Sequence, residues 1–176
     1  MSKPEQSTDA LELLTADHRA VDKLFDAYQE AGQASEDARF TIVKRTCEQL
    51  TVHTMLEEEL LYPAASDALS KDTLDVDEAR VEHYLVKMLI QRFVTLTPAH
   101  AGYDATFRVL AELVRHHVQE EENGLFPLLR GSNVDLAALG RRIASRKAEL
   151  DAKLEAAGAK TTGDKTLVLS HFDMPL

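Results

Sequence analysis

The chain has 176 residues, with 44% hydrophobic residues, 28% charged residues and a formal net charge of −10. This length is enough for one domain whose core needs neither disulfides nor a structural metal. The acidic balance and the lack of a basic cluster argue against a nucleic-acid partner, because phosphate binding requires grouped Lys and Arg side chains. No apolar run approaches the roughly 20 residues that span a bilayer, and the first residues lack a signal peptide's apolar segment. We therefore expect no membrane partner and a cytoplasmic location.

Apolar spacing and helix-end signals predict five helices in chain order. The first begins at a capping-box pattern, Asp9 with Glu12, in which each residue satisfies the other's backbone N–H group. The second is predicted to run to Tyr62 and to be broken or bent at Pro63, because proline has no N–H group to donate to the preceding turn. We expect residues 1–158 to form one helical bundle and residues 159–176 to form a tail. The predicted helices cover about 9–31, 36–62, 75–96, 103–123 and 133–157.

An internal repeat indicates how the first four helices are arranged. The segment HTMLEEELLYP at 53–63 matches HVQEEENGLFP at 117–127, and His18 in the first helix corresponds to His83 in the third. The chain therefore consists of two copies of one helical hairpin. Two such hairpins predict an all-α protein, an antiparallel up-down four-helix bundle with an extra C-terminal helix and tail.

Each repeat supplies one lone histidine and one H-x-x-x-E pair. Residues four apart lie on the same helix face, about 6 Å apart along the axis, so both side chains can reach one site. A lone histidine on an apolar stripe is more often a hydrogen-bonded core residue, but four of them on successive helices fit a metal centre better. A pair of cations would satisfy all the buried imidazoles and carboxylates together. The candidate metal ligands are His18, His53, Glu57, His83, His117 and Glu121.

The fourth helix offers a second candidate pair, His116 with Glu120, one residue out of register. The repeat favours His117, because it precedes its proline by the same number of residues as His53 does. Glu58 and Glu122 are expected to be solvated, with a proton-relay role open. Tyr62 is expected to serve packing, with support of the predicted ligands as the alternative.

The order H…HxxxE…H…HxxxE, with an EE…[YF]P segment after each ligand pair, resembles the hemerythrin family and specifically its HHE cation-binding branch. The resemblance covers roughly residues 9–130. It implies that the six candidate residues hold two iron ions, bridged by the two glutamates and by an oxo or hydroxo group. The oxygen-carrying hemerythrins have a further histidine where this chain has Lys87, four residues after His83. Reversible oxygen transport is therefore not the expected function.

The resemblance implies a non-haem di-iron protein that binds or reduces small oxidants, namely O2, NO or peroxide, in stress defence or sensing. Such a protein would be a di-iron oxidoreductase if it is an enzyme, and it would need an electron donor that the sequence does not identify. Two alternatives stay open: an iron store or donor without redox catalysis, and a metal-free helical interaction module. Manganese or zinc in place of iron, and a monomer or a dimer, are equally open.

Overall fold

The computed structural model describes residues 9–31, 35–69 and 76–158, and every regular element in these ranges is a helix. The predicted tail, 159–176, lies outside the described residues. None of the described helices is both long enough and apolar enough to cross a membrane. In chain order the α-helices are α1 Ala10–Ala31, α2 Glu36–Leu56, α3 Tyr62–Ala68, α4 Val76–Phe93, α5 Tyr103–Glu120, α6 Phe126–Arg130 and α7 Leu136–Gly158.

Helices α1, α2, α4 and α5 form the four-helix bundle that the repeat predicted. Helix α1 packs against α2 within the first hairpin and α4 against α5 within the second, while contacts of α1 with α5 and of α2 with α4 join the two hairpins. Helix α7, the predicted extra helix, lies outside this bundle against α1 and α2. The predicted fold class is therefore confirmed.

Side-chain caps determine where the helices begin. The predicted capping box is present, since the backbone N–H of Asp9 donates to Glu12 Oε2 at 3.1 Å and that of Glu12 donates to Asp9 Oδ1 at 2.9 Å. Helix α7 begins at Leu136, three residues later than predicted, because Asp135 caps it by accepting the N–H of Ala138 at 2.8 Å.

The predicted break at Pro63 is wrong, because the chain stays helical through this residue. A π-helical turn, Glu57–Leu61, follows α2, and α3 continues from it with Pro63 in its first turn. A second π-helical turn, Glu121–Leu125, leads in the same way to α6 and Pro127. Proline is tolerated here because the first turn of a helical segment needs no intrahelical N–H donor. Turns of this kind occur frequently at functional sites.

Two hydrophobic clusters fill the two ends of the bundle. On α1, Leu11 and Leu14 belong to one cluster, whereas Val21 and Phe25 belong to the other. The order is reversed on α2, as it must be in an antiparallel hairpin. On α1, α2 and α4 the change of cluster falls at or beside the candidate histidine. Helix α5 stays in the cluster that contains Phe25, and the chain joins the other cluster only after it, at Leu125 and Phe126. The histidines therefore lie between the two apolar clusters.

Helix α7 contributes buried side chains to the cluster that contains Leu11. Ile143 is 1% exposed, so Ile143→Ala should lower the free energy of unfolding by about 2–5 kcal/mol through lost burial and the cavity left behind. Urea denaturation followed by circular dichroism measures this. The exposed neighbour Arg141 is the control, and Arg141→Ala should change stability by no more than about 0.5 kcal/mol. Equal effects of the two substitutions would show that α7 does not stabilise the bundle.

Candidate metal centre

The four candidate histidines meet in the middle of the bundle as two pairs, one from each hairpin. The Nε2 atoms of His18 on α1 and His53 on α2 are 3.1 Å apart. Those of His83 on α4 and His117 on α5 are also 3.1 Å apart. All four side chains are buried, with at most 4% of each residue exposed. Each hairpin therefore directs two imidazole nitrogens at one central volume.

Glu57 connects the two histidine pairs. Its Oε1 atom lies 3.1 Å from His53 Nε2, and its Oε2 atom lies 3.3 Å from His83 Nε2. The residue is completely buried at the first position of the first π-helical turn. One carboxylate thus presents a separate oxygen to each pair, which is the arrangement of a bridging ligand.

Glu121 begins the second π-helical turn and also faces both pairs. Its Oε2 atom lies 3.4 Å from His18 Nε2 and 3.7 Å from His117 Nε2. Unlike Glu57, it directs one oxygen between the pairs rather than one oxygen to each. All six side chains singled out in the sequence therefore come together in the structure.

Tyr62 gives the centre an asymmetry that its place in the sequence did not reveal. The hydroxyl group donates to Glu121 Oε1 at 3.0 Å and lies 3.1 Å from His83 Nε2. The second repeat has Phe126 at this position, and its ring stacks on that of His18 with centroids 5.8 Å apart. Packing was the favoured prediction for Tyr62, and the alternative, a contact with the predicted ligands, is the one that the structure shows. Only one side of the centre therefore has a phenolic hydrogen-bond donor.

A second layer of carboxylates supports the histidines from behind. Glu122 Oε1 lies 2.8 Å from the Nδ1 atom of His18, and Glu58 Oε1 lies 3.0 Å from the Nδ1 atom of His83. Each glutamate reaches a histidine of the other hairpin. The expectation that Glu58 and Glu122 are solvated was therefore wrong. These residues follow the central glutamates in the π-helical turns, where they face the neighbouring hairpin and keep only 23% and 20% of their side chains exposed.

Basic side chains keep this second layer ionised. Lys87 Nζ donates to Glu58 Oε2 at 2.7 Å, and Arg19 donates to Glu122. Burial by itself raises the pKa of Glu58, but hydrogen bonds from His83 and Lys87 outweigh it and lower the pKa below its usual value. An ionised carboxylate holds the proton on the Nδ1 atom of its histidine. Nε2 is then the nitrogen that faces the centre, where a metal cation would displace its proton.

The other two histidines, His53 and His117, differ from each other in whether a carboxylate contacts the Nδ1 atom. His117 Nδ1 lies 2.7 Å from Glu82 Oε2, whereas His53 Nδ1 is buried without a hydrogen-bond partner among the described residues. In the repeat, the counterpart of Glu82 is Asp17, which is one methylene shorter and instead accepts a hydrogen bond from Lys147 of α7 at 3.1 Å. The role of Glu82 was missed in the sequence. Its place directly before a candidate histidine was the available signal.

The central carboxylates require positive charge beside them. Both oxygens of Glu57 and Oε2 of Glu121 are buried and accept no hydrogen bond from any described residue. Burial raises the pKa of Glu57, but the nearby histidines, His53 foremost, hold it well below its usual range. Burial lowers the pKa of His18, yet contacts with Glu121 and Glu57 outweigh this and raise it to about 10. Burial also lowers the pKa of His83, but contacts with Glu57 and Glu58 outweigh it and raise the pKa to about 9.

A pair of metal cations fits this donor set. Imidazole nitrogens and carboxylate oxygens converge there, and the otherwise unpaired oxygens of Glu57 would gain ligand bonds. Within each of two overlapping groups the potential ligand atoms lie within 4.8 Å of one another, and Glu57 belongs to both. The first group is His18, His53, Glu57 and Glu121, and the second is Glu57, His83 and His117.

A small cavity adjoins the histidines on the side of the hydrophobic cluster that contains Phe25. Its volume is about 10 Å³, and apart from the four histidines its walls include Val21, Leu50, Val86 and Val114. This is about the room that one water-sized molecule needs. The walls are largely apolar, so the cavity suits a small uncharged molecule.

The chain is similar to known proteins in both sequence and structure. The chain is similar to a DNA nickase from Nostoc sp., with 26% identity over 128 residues. The match covers 73% of this chain but only 35% of the nickase, so most of that protein lies outside the similar region. The fold is similar to the crystal structure of a hemerythrin HHE cation binding domain-containing protein from Mycobacterium kansasii. That comparison has a TM-score of 0.74 and 24% identity, and it covers 92% of this chain and 98% of the other.

The family model of the hemerythrin HHE cation binding domain matches residues 9–129. This range includes both hairpins, all six converging side chains and the second layer of carboxylates. Helix α7 lies beyond the matched range, although Lys147 on that helix contacts Asp17 beside the centre. The chain belongs to the hemerythrin HHE cation-binding domain family.

Proposed function

We propose that the chain holds two iron ions on its central histidines and glutamates, and that it binds or reduces O2, NO or peroxide in stress defence or sensing. The observation that carries the proposal is Glu57, whose two oxygens face two different histidine pairs in a fully buried centre. The proposed ligands are His18, His53, Glu57, His83, His117 and Glu121. Iron bound there would supply one-electron redox chemistry and a place for a small ligand.

The chain's own residues would select and orient that ligand. The apolar cavity admits a molecule about the size of water and disfavours charged solutes, since burying an unpaired charge is costly. Tyr62 presents a hydroxyl group at Glu121, where it can hold or supply a proton on one side of the centre. The outer carboxylates, Glu58 and Glu122, fix the imidazole orientations.

The same features weigh against the two alternatives. A metal-free interaction module would not need two inward carboxylates of which three oxygens lack a hydrogen-bond partner among the described residues, both of Glu57 and Oε2 of Glu121. A store that releases its iron would gain little from a second carboxylate layer that strengthens imidazole ligands. The centre therefore favours retained ions and a ligand that comes and goes.

Protein purified without chelators should contain about two irons per chain, because six inward ligands with a shared Glu57 suit two six-coordinate ions better than one. Elemental analysis together with an optical spectrum measures this, and near-ultraviolet absorption typical of a bridged diferric centre is expected. Iron near one per chain, or zinc at full occupancy, would contradict the di-iron assignment.

Reduced protein should be oxidised by O2, NO or peroxide faster than free ferrous ion in the same buffer, and it should not return intact O2 on degassing. The reason is that Lys87, where oxygen carriers have a histidine, directs its ammonium group to Glu58 and supplies no further ligand. Stopped-flow absorbance with each oxidant measures the rate.

Two results would contradict that expectation in different ways. A complex that releases intact O2 over repeated cycles would restore an oxygen-carrier role. Oxidation no faster than that of free ferrous ion would remove the redox function and favour the iron store, provided that the iron content is normal.

The ligand register on α5 can be tested by two neighbouring substitutions. His117 is buried at the centre, whereas the side chain of His116 is 60% exposed and its Nε2 lies 3.2 Å from Glu120. His117→Ala should therefore lose much of the bound iron, by more than the roughly 10–100-fold loss of affinity typical of outer contacts. His116→Ala is the matched control and should retain nearly all of it at equilibrium. The reverse pattern would show that the ligand assignment on this helix is wrong.

A further inference from the structure

We propose that Glu82, His116 and Glu120 form a second, solvent-accessible site that takes a divalent cation such as Fe²⁺ or Mn²⁺ and passes it to the buried centre. Binding at this site stands on its own geometry. Its delivery role rests on the proposed function of the buried centre.

The three side chains place nitrogen and oxygen ligands around one point at the surface. His116 Nε2 lies 3.2 Å from Glu120 Oε1 on the same helix and 3.8 Å from Glu82 Oε1 on α4. One potential ligand atom from each residue lies within 4.8 Å of the other two. His116 and Glu120 are exposed, so a hydrated cation can reach them. An imidazole with two carboxylates suits Mn²⁺, Fe²⁺ or Zn²⁺.

Glu82 joins this surface group to the buried centre. Its Oε2 atom lies 2.7 Å from the Nδ1 atom of His117, while Oε1 makes no hydrogen bond to any residue that the structure describes and is directed towards His116. Only 7% of Glu82 is exposed. A nine-tenths buried carboxylate therefore has one oxygen on a central histidine and the other directed into the surface group.

The charges around the centre distinguish this group from an ordinary acidic surface. Other carboxylates bordering the centre have a basic partner: Glu58 pairs with Lys87, Glu122 with Arg19 and Asp17 with Lys147. In the described part of the chain, neither Glu82 nor Glu120 has a Lys or Arg within ion-pair distance. Two neighbouring carboxylates, one of them largely out of water, repel each other more strongly than exposed ones. A divalent cation would neutralise both.

The binding test uses Mn²⁺, which loses its sharp electron paramagnetic resonance signal when it leaves free solution. Wild-type protein, Glu120→Gln and His116→Gln should be titrated under the same conditions. The wild type should bind about one Mn²⁺ more per chain, or bind it roughly tenfold or more tightly, than either variant. Both substitutions are at exposed positions, so the fold should persist, and circular dichroism checks this.

The matched control is Glu112→Gln. Glu112 is exposed on α5 one turn before His116, so the substitution removes one negative charge from the same helix face without touching the three ligands. It should bind Mn²⁺ as the wild type does. An equal loss in Glu112→Gln would show that general surface charge attracts the cation, and equal binding by the wild type and Glu120→Gln would exclude the site; either result overturns the proposal.

The delivery role is tested by the rate of iron uptake. Glu120→Gln should fill the buried centre several-fold more slowly than the wild type and reach the same final iron content. An unchanged rate would overturn the delivery role, and a lower final content would place Glu120 in the buried centre instead. If the wild type holds no buried iron, the proposed function fails, but the Mn²⁺ titration still decides whether the surface site exists.

Discussion

The structure depends on two carboxylates, Glu57 and Glu121, buried at the middle of an apolar bundle. Burying a charge is costly unless an opposite charge and hydrogen-bonding groups accompany it. The four histidines meet this requirement with nitrogen ligands that can hold either protons or metal cations. The two hydrophobic clusters lie above and below this level, and they keep water from satisfying the carboxylates instead.

The second layer of carboxylates makes the centre a link between the two hairpins. Glu122 of the second hairpin contacts His18 of the first, and Glu58 of the first contacts His83 of the second. The basic partners of these glutamates lie on the same helices as the histidines, one residue after His18 and four after His83. The same glutamate–histidine contacts therefore orient the imidazole rings and hold the two hairpins together. Of the four histidines, only His53 has no carboxylate at its Nδ1 atom in the described structure. Asp17, the counterpart of Glu82 in the first repeat, is instead bound to Lys147 of α7.

The π-helical turns explain how adjacent glutamates serve two layers. Glu57 Oε2 approaches the Nε2 atom of His83, while Glu58 approaches the Nδ1 atom of the same ring. In a regular α-helix, neighbouring side chains point about 100° apart, which separates them widely around the axis. The π-helical turn has a longer hydrogen-bonded repeat, and the Tyr62 N–H group bonds to the Glu57 carbonyl group across it. Both glutamates can then face the second hairpin, and Pro63 enters the following helix without disrupting it.

The sequence by itself determined the helices, the repeated hairpins and the six side chains that meet at the centre. Local periodicity decides which face of a helix a residue occupies, and an apolar face must pack towards the core of the bundle. Only the tertiary structure decided the roles of Glu58, Glu82 and Glu122, the hydroxyl contacts of Tyr62 and the pairing of Asp17 with Lys147. These contacts join residues of different helices. They depend on how each helix is rotated and shifted against its neighbours, which spacing along one helix does not specify.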